Sequence, residues 1–325
     1  MTSSVLLHND NPYVCDITYN NLYDLYELQC EQMWFAKEIN YNDKINTLDD
    51  QQLDFIVKVL SFFAASDGIV MENLICNFQS AFSIVEARSF FSAQNFIEGI
   101  HSETYARLLM LYCPNDYRNR FQSMNNDPLV KKKKDWCMQY MSSGNTTKND
   151  DDATILKDLG KRVVAWACVE GIFFCSSFCA IFYLKQLNNV DLEALFMSNE
   201  LISKDETLHC LFGTEMYKTF PELNIGKENV NEIVKSCVAT EKEWVNSILP
   251  YDLPGMNKTL MCEYVESVAD NLLLLLGYQP IWNTKNPFPF MERLKFSHKT
   301  NFFEKHNSDY TKLTETQSFT MDEDF

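Results

Sequence analysis

From Asn21 onward, apolar side chains return every three or four residues, the period of a helix with one buried face. This pattern predicts helices at Asn21–Glu38, from Thr47-Leu-Asp-Asp50 to about Phe78, and at Ile84–Tyr112. It predicts four more at Thr154–Leu187, Leu192–Thr219, Val230–Leu249 and Met256–Leu276. In the second segment, Leu53, Ile56, Val57 and Leu60 mark the buried stripe, and Thr47-Leu-Asp-Asp50 is a helix-start sequence. Pro114–Pro128 is bounded by prolines and rich in asparagine, so it is expected to be a connection with at most a short helix. Lys131–Lys134 reads as a solvated helix face, and Ser142–Asp152 as a polar loop. Three regions follow: an irregular arm at 1–20, a helical domain at 21–295 and a flexible tail at 296–325.

Composition narrows the class. Nine glycines and nine prolines in 325 residues favour helix over a turn-rich β architecture. Apolar residues make up 46% and aromatics 14%, enough for one large core. A formal net charge of −17 argues against a nucleic-acid-binding face. Eleven cysteines form an odd set without Cys-x-x-Cys spacing, and the N-terminus has no signal-peptide pattern. Reduced, mostly buried thiols in a cytoplasmic protein are expected. The apolar run Val169–Leu184 is interrupted by Glu170 and serines, and is shorter than the ~20 residues of a membrane span. It is expected to be a core helix.

Two short stretches carry the chemistry: Glu98-Gly-Ile-His101 and Glu206-Thr-Leu-His209. Three-residue spacing puts carboxylate and imidazole on one helix face, about one turn apart. With only five histidines in the chain, chance would give roughly 0.35 such matches. Helical bundles that hold two carboxylate-bridged metal ions take Glu-x-x-His from each of two helices and a lone carboxylate from two others. Asp67 and Glu170, each in an otherwise apolar stretch, are the two lone carboxylates. Four converging carboxylates repel one another unless cations lie among them, and two divalent ions cancel the charge. Oxygen ligands with one imidazole per ion suit Fe(II) or Mn(II).

Tyr105 lies one turn beyond His101 on the same face. Phe174 and Phe178 follow Glu170 at helical spacing, and Ile202 precedes Glu206 by one turn. Together they predict a dry apolar wall around the Tyr105 phenol. A di-iron site that activates O2 next to a water-excluded phenol can oxidise it to a stable radical.

Several longer motifs carry a family resemblance: Phe62-Phe-Ala-Ala-Ser-Asp-Gly-Ile-Val70, Ile100-His-Ser-Glu-Thr-Tyr105, Val169-Glu-Gly-Ile-Phe-Phe174 and Ser198-Asn-Glu-Leu-Ile-Ser-Lys-Asp-Glu206. Thr300-Asn-Phe-Phe-Glu-Lys305 and Phe319-Thr-Met-Asp-Glu-Asp-Phe325 complete the set. From about Trp34 to Phe325 the sequence resembles the small, radical-generating subunit of class I ribonucleotide reductase, of the eukaryotic and large-virus type. The resemblance implies an all-α, ferritin-like di-iron bundle of about eight main helices. It implies that Asp67, Glu98 and His101 ligate one iron, and Glu170, Glu206 and His209 the other, with Glu98 and Glu206 bridging; manganese is the alternative metal.

The same resemblance makes Tyr105 the radical site, lined by Phe174, Phe178 and Ile202. Trp34 and Asp205 become the path from His101 toward the surface, and Tyr310 the relay to a large catalytic subunit. Phe319, Asp322, Glu323, Asp324 and Phe325 then dock the tail on that subunit, the aromatics anchoring and the acids orienting. The implied activity is reduction of ribonucleoside diphosphates to deoxyribonucleotides, in a homodimer or a heterodimer with a second small subunit. Three departures stand out: Gly99 within the first Glu-x-x-His, Lys204 where relatives carry Arg, and the Ser142–Asp152 loop. The rival readings are a di-iron oxygenase, an iron store, and a paralogue that supports a competent small subunit without making the radical itself.

Overall fold

The structure, a computed structural model, describes residues 4–8, 14–74, 78–141, 150–187, 191–249 and 255–291. The side chains of Asp67, Ile69, Glu72, Asn73 and Met141 lie outside that description. The protein divides into two units, Met1–Pro287 and Phe288–Phe325. Ten α-helices fall within the first, and no strand occurs among the described residues. They are α1 (Asn20–Glu31), α2 (Asp50–Asn73), α3 (Val85–Tyr112), α4 (Tyr117–Asn126) and α5 (Pro128–Met141). After these come α6 (Asp152–Cys168), α7 (Cys175–Leu184), α8 (Glu193–Thr219), α9 (Lys227–Ile248) and α10 (Lys258–Leu275).

Helix starts follow local chemistry. Within the Thr47–Asp50 start, Asp49 caps α2: its carboxylate accepts from Gln52 N at 2.8 Å while Gln52 Oε1 accepts from Asp49 N at 3.1 Å. Asp151 caps α6 and Asn257 caps α10 with their side chains, each accepting at 2.9 Å. The start of α8 has no side-chain cap from its own Leu192. Asp43 supplies it from about 150 residues earlier, accepting from Ala194 N at 2.6 Å and Leu195 N at 3.1 Å. The same carboxylate accepts from Tyr112 OH at 2.7 Å, at the last residue of α3. One buried acid thus ties the end of α3 to the start of α8, the two Glu-x-x-His helices.

Several expectations need correction. The first helix ends at Glu31, so Trp34 lies in the irregular stretch before a 3-10 turn at Ala36–Glu38. The Pro114–Pro128 connection does hold a short helix, as expected, the ten-residue α4. Thr154–Leu187 is not one helix: α6 passes into a π-helical turn, Val169–Phe173, and α7 begins anew at Cys175. Apolar periodicity reads through this break because nearly every residue on both sides is buried. The basic run is not wholly solvated. Lys133 is only 4% exposed, because it faces α9 and the break instead of water.

Within Asp152–Leu184 an 18-residue window reaches a mean hydropathy of 1.8, apolar enough for a membrane-crossing helix, yet 94% of that window is buried. Neighbouring helices cover it, α6 packing against α8, α9 and α5. Gly99 leaves α3 unbroken, and a side chain there would touch nothing within 4 Å. Ten cysteines among the described residues are free thiols, six of them buried.

The Asp43 tie yields a stability prediction. Asp43→Ala orphans two backbone donors and the Tyr112 hydroxyl, so roughly 2–4 kcal/mol should be lost. A denaturant titration should show a lower midpoint with an unchanged slope.

Candidate metal centre

The site is built where α3, α8 and the π-turn meet. Glu98 and His101 project from α3, Glu206 and His209 from α8, and Glu170 from the π-turn. All five are at most 4% exposed. Ligand atoms of Glu98, Glu170, Glu206 and His209 lie within 4.8 Å of one another. His101 Nδ1 is 3.3 Å from Glu98 Oε2 and 3.2 Å from Glu206 Oε1. His209 Nδ1 is 3.3 Å from Glu98 Oε1 and 3.2 Å from Glu206 Oε2. The two glutamates therefore each face both imidazoles, one oxygen per ring.

The outer face of each ring is fixed as well. His101 Nε2 pairs with Asp205 Oδ2 at 2.9 Å, and His209 Nε2 pairs with Gln29 at 3.1 Å. Such outer partners set the ring orientation and leave Nδ1 turned inward. Glu170 Oε1 accepts two N–H bonds, from Trp166 Nε1 at 2.6 Å and Gln94 Nε2 at 3.0 Å. Gln94 also donates to Glu98 at 3.2 Å. Gly213 makes room for the Trp166 indole, since a Cβ there would lie 2.9 Å from the ring.

The electrostatics are those of an over-acidic pocket. Burial, then repulsion from Glu206 and Glu98, holds the Glu170 carboxyl well above its ordinary range. Burial would push His101 down, but hydrogen bonds to Asp205, Glu206 and Glu98 outweigh it and raise it well above the usual imidazole value. Burial would raise Glu206, but hydrogen bonds from both imidazoles outweigh it and lower it. Within the cluster itself, His101 Nδ1 meets the Glu98 and Glu206 carboxylates only as ion-pair contacts, and Glu170 Oε2 has no well-formed hydrogen bond. A donor set of carboxylate oxygens and inward-facing imidazole nitrogens, turned toward one another, fits hard divalent cations.

Tyr105 is 3% exposed and stacks on Phe63, with ring centroids 5.0 Å apart. Phe63 in turn lies 4.9 Å from Phe178 and 6.0 Å from Phe174. Ile202 is fully buried on α8. Trp34 Nε1 donates to Asp205 Oδ2 at 2.8 Å, the same oxygen that His101 contacts. Lys204 pairs one turn back with Glu200, at 3.0 Å. Asp67 lies on α2, but its side chain is outside the described residues. So are Tyr310, Phe319, Asp322, Glu323, Asp324 and Phe325.

Gln29, Gln94, Trp166 and Phe63 are site residues that the sequence patterns did not single out. Gln94 and Trp166 each precede a glutamate by four residues, so a search one turn before each acid would have found them. Gln29 comes from α1 and carries no local signal.

The family model described as "Ribonucleotide reductase, small chain" matches residues 13–287. The ribonucleoside-diphosphate reductase small chain of Nicotiana tabacum is 40% identical over 323 residues, covering 95% of this protein and 94% of its own length. The solved ribonucleotide reductase Rnr4 homodimer of Saccharomyces cerevisiae superposes with a TM-score of 0.75 at 27% identity, covering 94% of this protein and 92% of its own length. The dimanganese(II)-NrdF of Streptococcus sanguinis shares the fold, with a TM-score of 0.72 at 19% identity over 87% of this protein and 99% of its own length. A helical unit with buried Glu-x-x-His pairs on two helices, matched over nearly its whole length, places this chain in the ribonucleotide reductase small-chain family.

Proposed function

We propose that this protein is a radical-generating small subunit whose Asp67, Glu98, Glu170, Glu206, His101 and His209 hold two divalent metal ions. The observation that carries the reading is the buried cluster of three glutamates whose oxygens converge with the inward Nδ1 atoms of His101 and His209. Iron is our choice of metal, with manganese as the alternative suggested by the NrdF relative's dimanganese site. Bound iron would supply O2 reduction and the one-electron oxidation of a nearby phenol. Tyr105 is the phenol we assign to that role.

The residues around it each have a task. Phe63, Phe174, Phe178 and Ile202 keep water from the oxidised ring. Asp205 anchors His101 from outside and, through the shared Oδ2, links it to the indole of Trp34. We assign this contact to the path that carries the oxidising equivalent outward, with Tyr310 as the next station. The tail residues Phe319, Asp322, Glu323, Asp324 and Phe325 are proposed to dock on the large subunit, where ribonucleotide reduction takes place. A homodimer is the expected assembly, after the Rnr4 homodimer. The ten free thiols suit a reducing compartment, so we place the protein in the cytoplasm.

Three outcomes test this reading. Without metal, burial and the neighbouring carboxylates favour the protonated forms of Glu170 and His101, and ligation requires those protons to leave. Affinity for Fe(II) or Mn(II) should therefore fall as pH is lowered, and binding should release protons. Calorimetry in two buffers of different ionisation enthalpy measures that release; buffer-independent heats would contradict it. Anaerobic Fe(II) loading followed by O2 should give a tyrosyl signal by low-temperature EPR, absent in Tyr105→Phe. Iron uptake without any radical in the intact protein would sink the radical-generating role. Removing residues 319–325 should leave the radical intact and weaken binding to the large subunit at least ~10-fold, as loss of anchor residues does.

A further inference from the structure

The most unusual charged groups away from the metal cluster are Lys133 on α5 and Glu241 on α9. Their side chains are 5% and 0% exposed, and Lys133 Nζ lies 2.5 Å from Glu241 Oε2. The ammonium is boxed by aromatic faces, 4.2 Å from the Phe62 centroid and 5.1 Å from both Phe173 and Trp244. A buried ion pair is seldom a net gain over an apolar pair of the same size, so its placement calls for a reason.

That reason lies at the helix break. Lys133 Nζ donates to the backbone carbonyl of Phe173 at 2.7 Å, the last residue of the π-turn that carries Glu170. Glu241 Oε1 accepts from Ser176 Oγ, and the carboxylate also accepts from the Ser176 backbone N–H, in the first turn of α7. The cation therefore sits at the carbonyl end of one helical segment and the anion at the N–H end of the next. Each charge opposes the partial charge of the terminus it meets. Trp244, close to one turn beyond Glu241 on α9, adds a bond from Nε1 to Ser177 Oγ at 3.0 Å. A small cavity of about 20 Å³, lined by Phe62, Ser66, Lys133, Cys137, Val169 and Phe173 among others, borders the same turn. The turn is thus not held by close packing on every side.

We propose that Lys133 and Glu241 form an electrostatic clamp on the 173–176 break that fixes where the Glu170 carboxylate stands. They are positioning residues for the Glu170 half of the metal centre. This rests on the metal reading above. The donors on Glu170 Oε1 orient the carboxylate, and the clamp holds the backbone from which it projects. Releasing the clamp lets the π-turn relax toward regular α-helix, which rotates every side chain of 169–173 about the axis.

The test removes both charges together, so that neither is stranded. In Lys133→Met/Glu241→Leu the pair becomes apolar, and helicity and thermal midpoint should stay close to wild type. Anaerobic Mn(II) titration should nevertheless show one of the two ions bound roughly 10–100-fold more weakly, the range seen when outer supports of ligands are lost. Amide hydrogen exchange over 170–177 should speed up at least ~10-fold while that of α3 and α8 stays unchanged, the mark of a local release. Two ions at wild-type affinity with wild-type exchange in this variant would overturn the clamp. Should the double variant not fold, Ser176→Ala decides, since it leaves the ion pair in place. There, a several-fold weaker second ion supports the proposal and wild-type affinity overturns it. Fewer than two ions in the unmodified protein would instead bring down the metal reading itself.

Discussion

Three glutamates share one buried pocket, each at most 4% exposed, with oxygens that lie within 4.8 Å of one another. Ionised carboxylates in such a place repel strongly, and burial alone disfavours each of them. The surrounding structure acts to make that pocket tolerable. Two imidazoles interleave with Glu98 and Glu206, and amide and indole N–H groups back Glu170. Because Glu and His come paired at three-residue spacing, long helices are the simplest way to aim both at one point. The outer partners, Asp205, Gln29, Gln94 and Trp166, then limit each ligand to one orientation.

The fifth member of the cluster is held differently. Glu170 sits in a π-turn, and this irregular backbone is met from outside, where Lys133 Nζ donates to the Phe173 carbonyl. Gly171 allows α8 to approach, since a Cβ there would lie 2.8 Å from Cys210 Sγ. On the other side stand Lys133, Glu241 and Trp244. A single regular helix through 154–187 would have been simpler to build. The break puts one acid in register with residues from two other helices, and it requires a charged support behind it.

The aromatic enclosure links the cluster to the proposed chemistry. Tyr105 is one turn beyond His101 and stacks against Phe63, which itself packs on Phe174 and Phe178. Aromatic faces exclude water without offering a hydrogen atom that an oxidised phenol could easily abstract. On the opposite side of His101, the Asp205 carboxylate joins ring and indole through one oxygen. A phenol shut from solvent on one side and a polar link to an indole on the other is what storage and controlled export of an oxidising equivalent both require.

How much of this was legible in the sequence depends on whether the information is local. Helical period, the two Glu-x-x-His pairs and the position of Tyr105 follow from spacings of three or four residues, which fix a shared helix face whatever the helix packs against. The sequence by itself therefore determined the all-α class and five candidate metal-site residues that the fold brings together. It could not determine what arrives from elsewhere: Asp43 capping a helix about 150 residues away, Gln29 behind His209, Phe63 against Tyr105. Lys133 shows the limit most clearly. In a run of four lysines it has the pattern of a solvated face, yet the tertiary structure turns it inward to Glu241 and the Phe173 carbonyl. The π-turn was hidden for a related reason, since a segment buried on all sides has no polar face whose phase could reveal a slip. Spacing sets direction along one helix, whereas burial and pairing across helices are decided only when the helices meet.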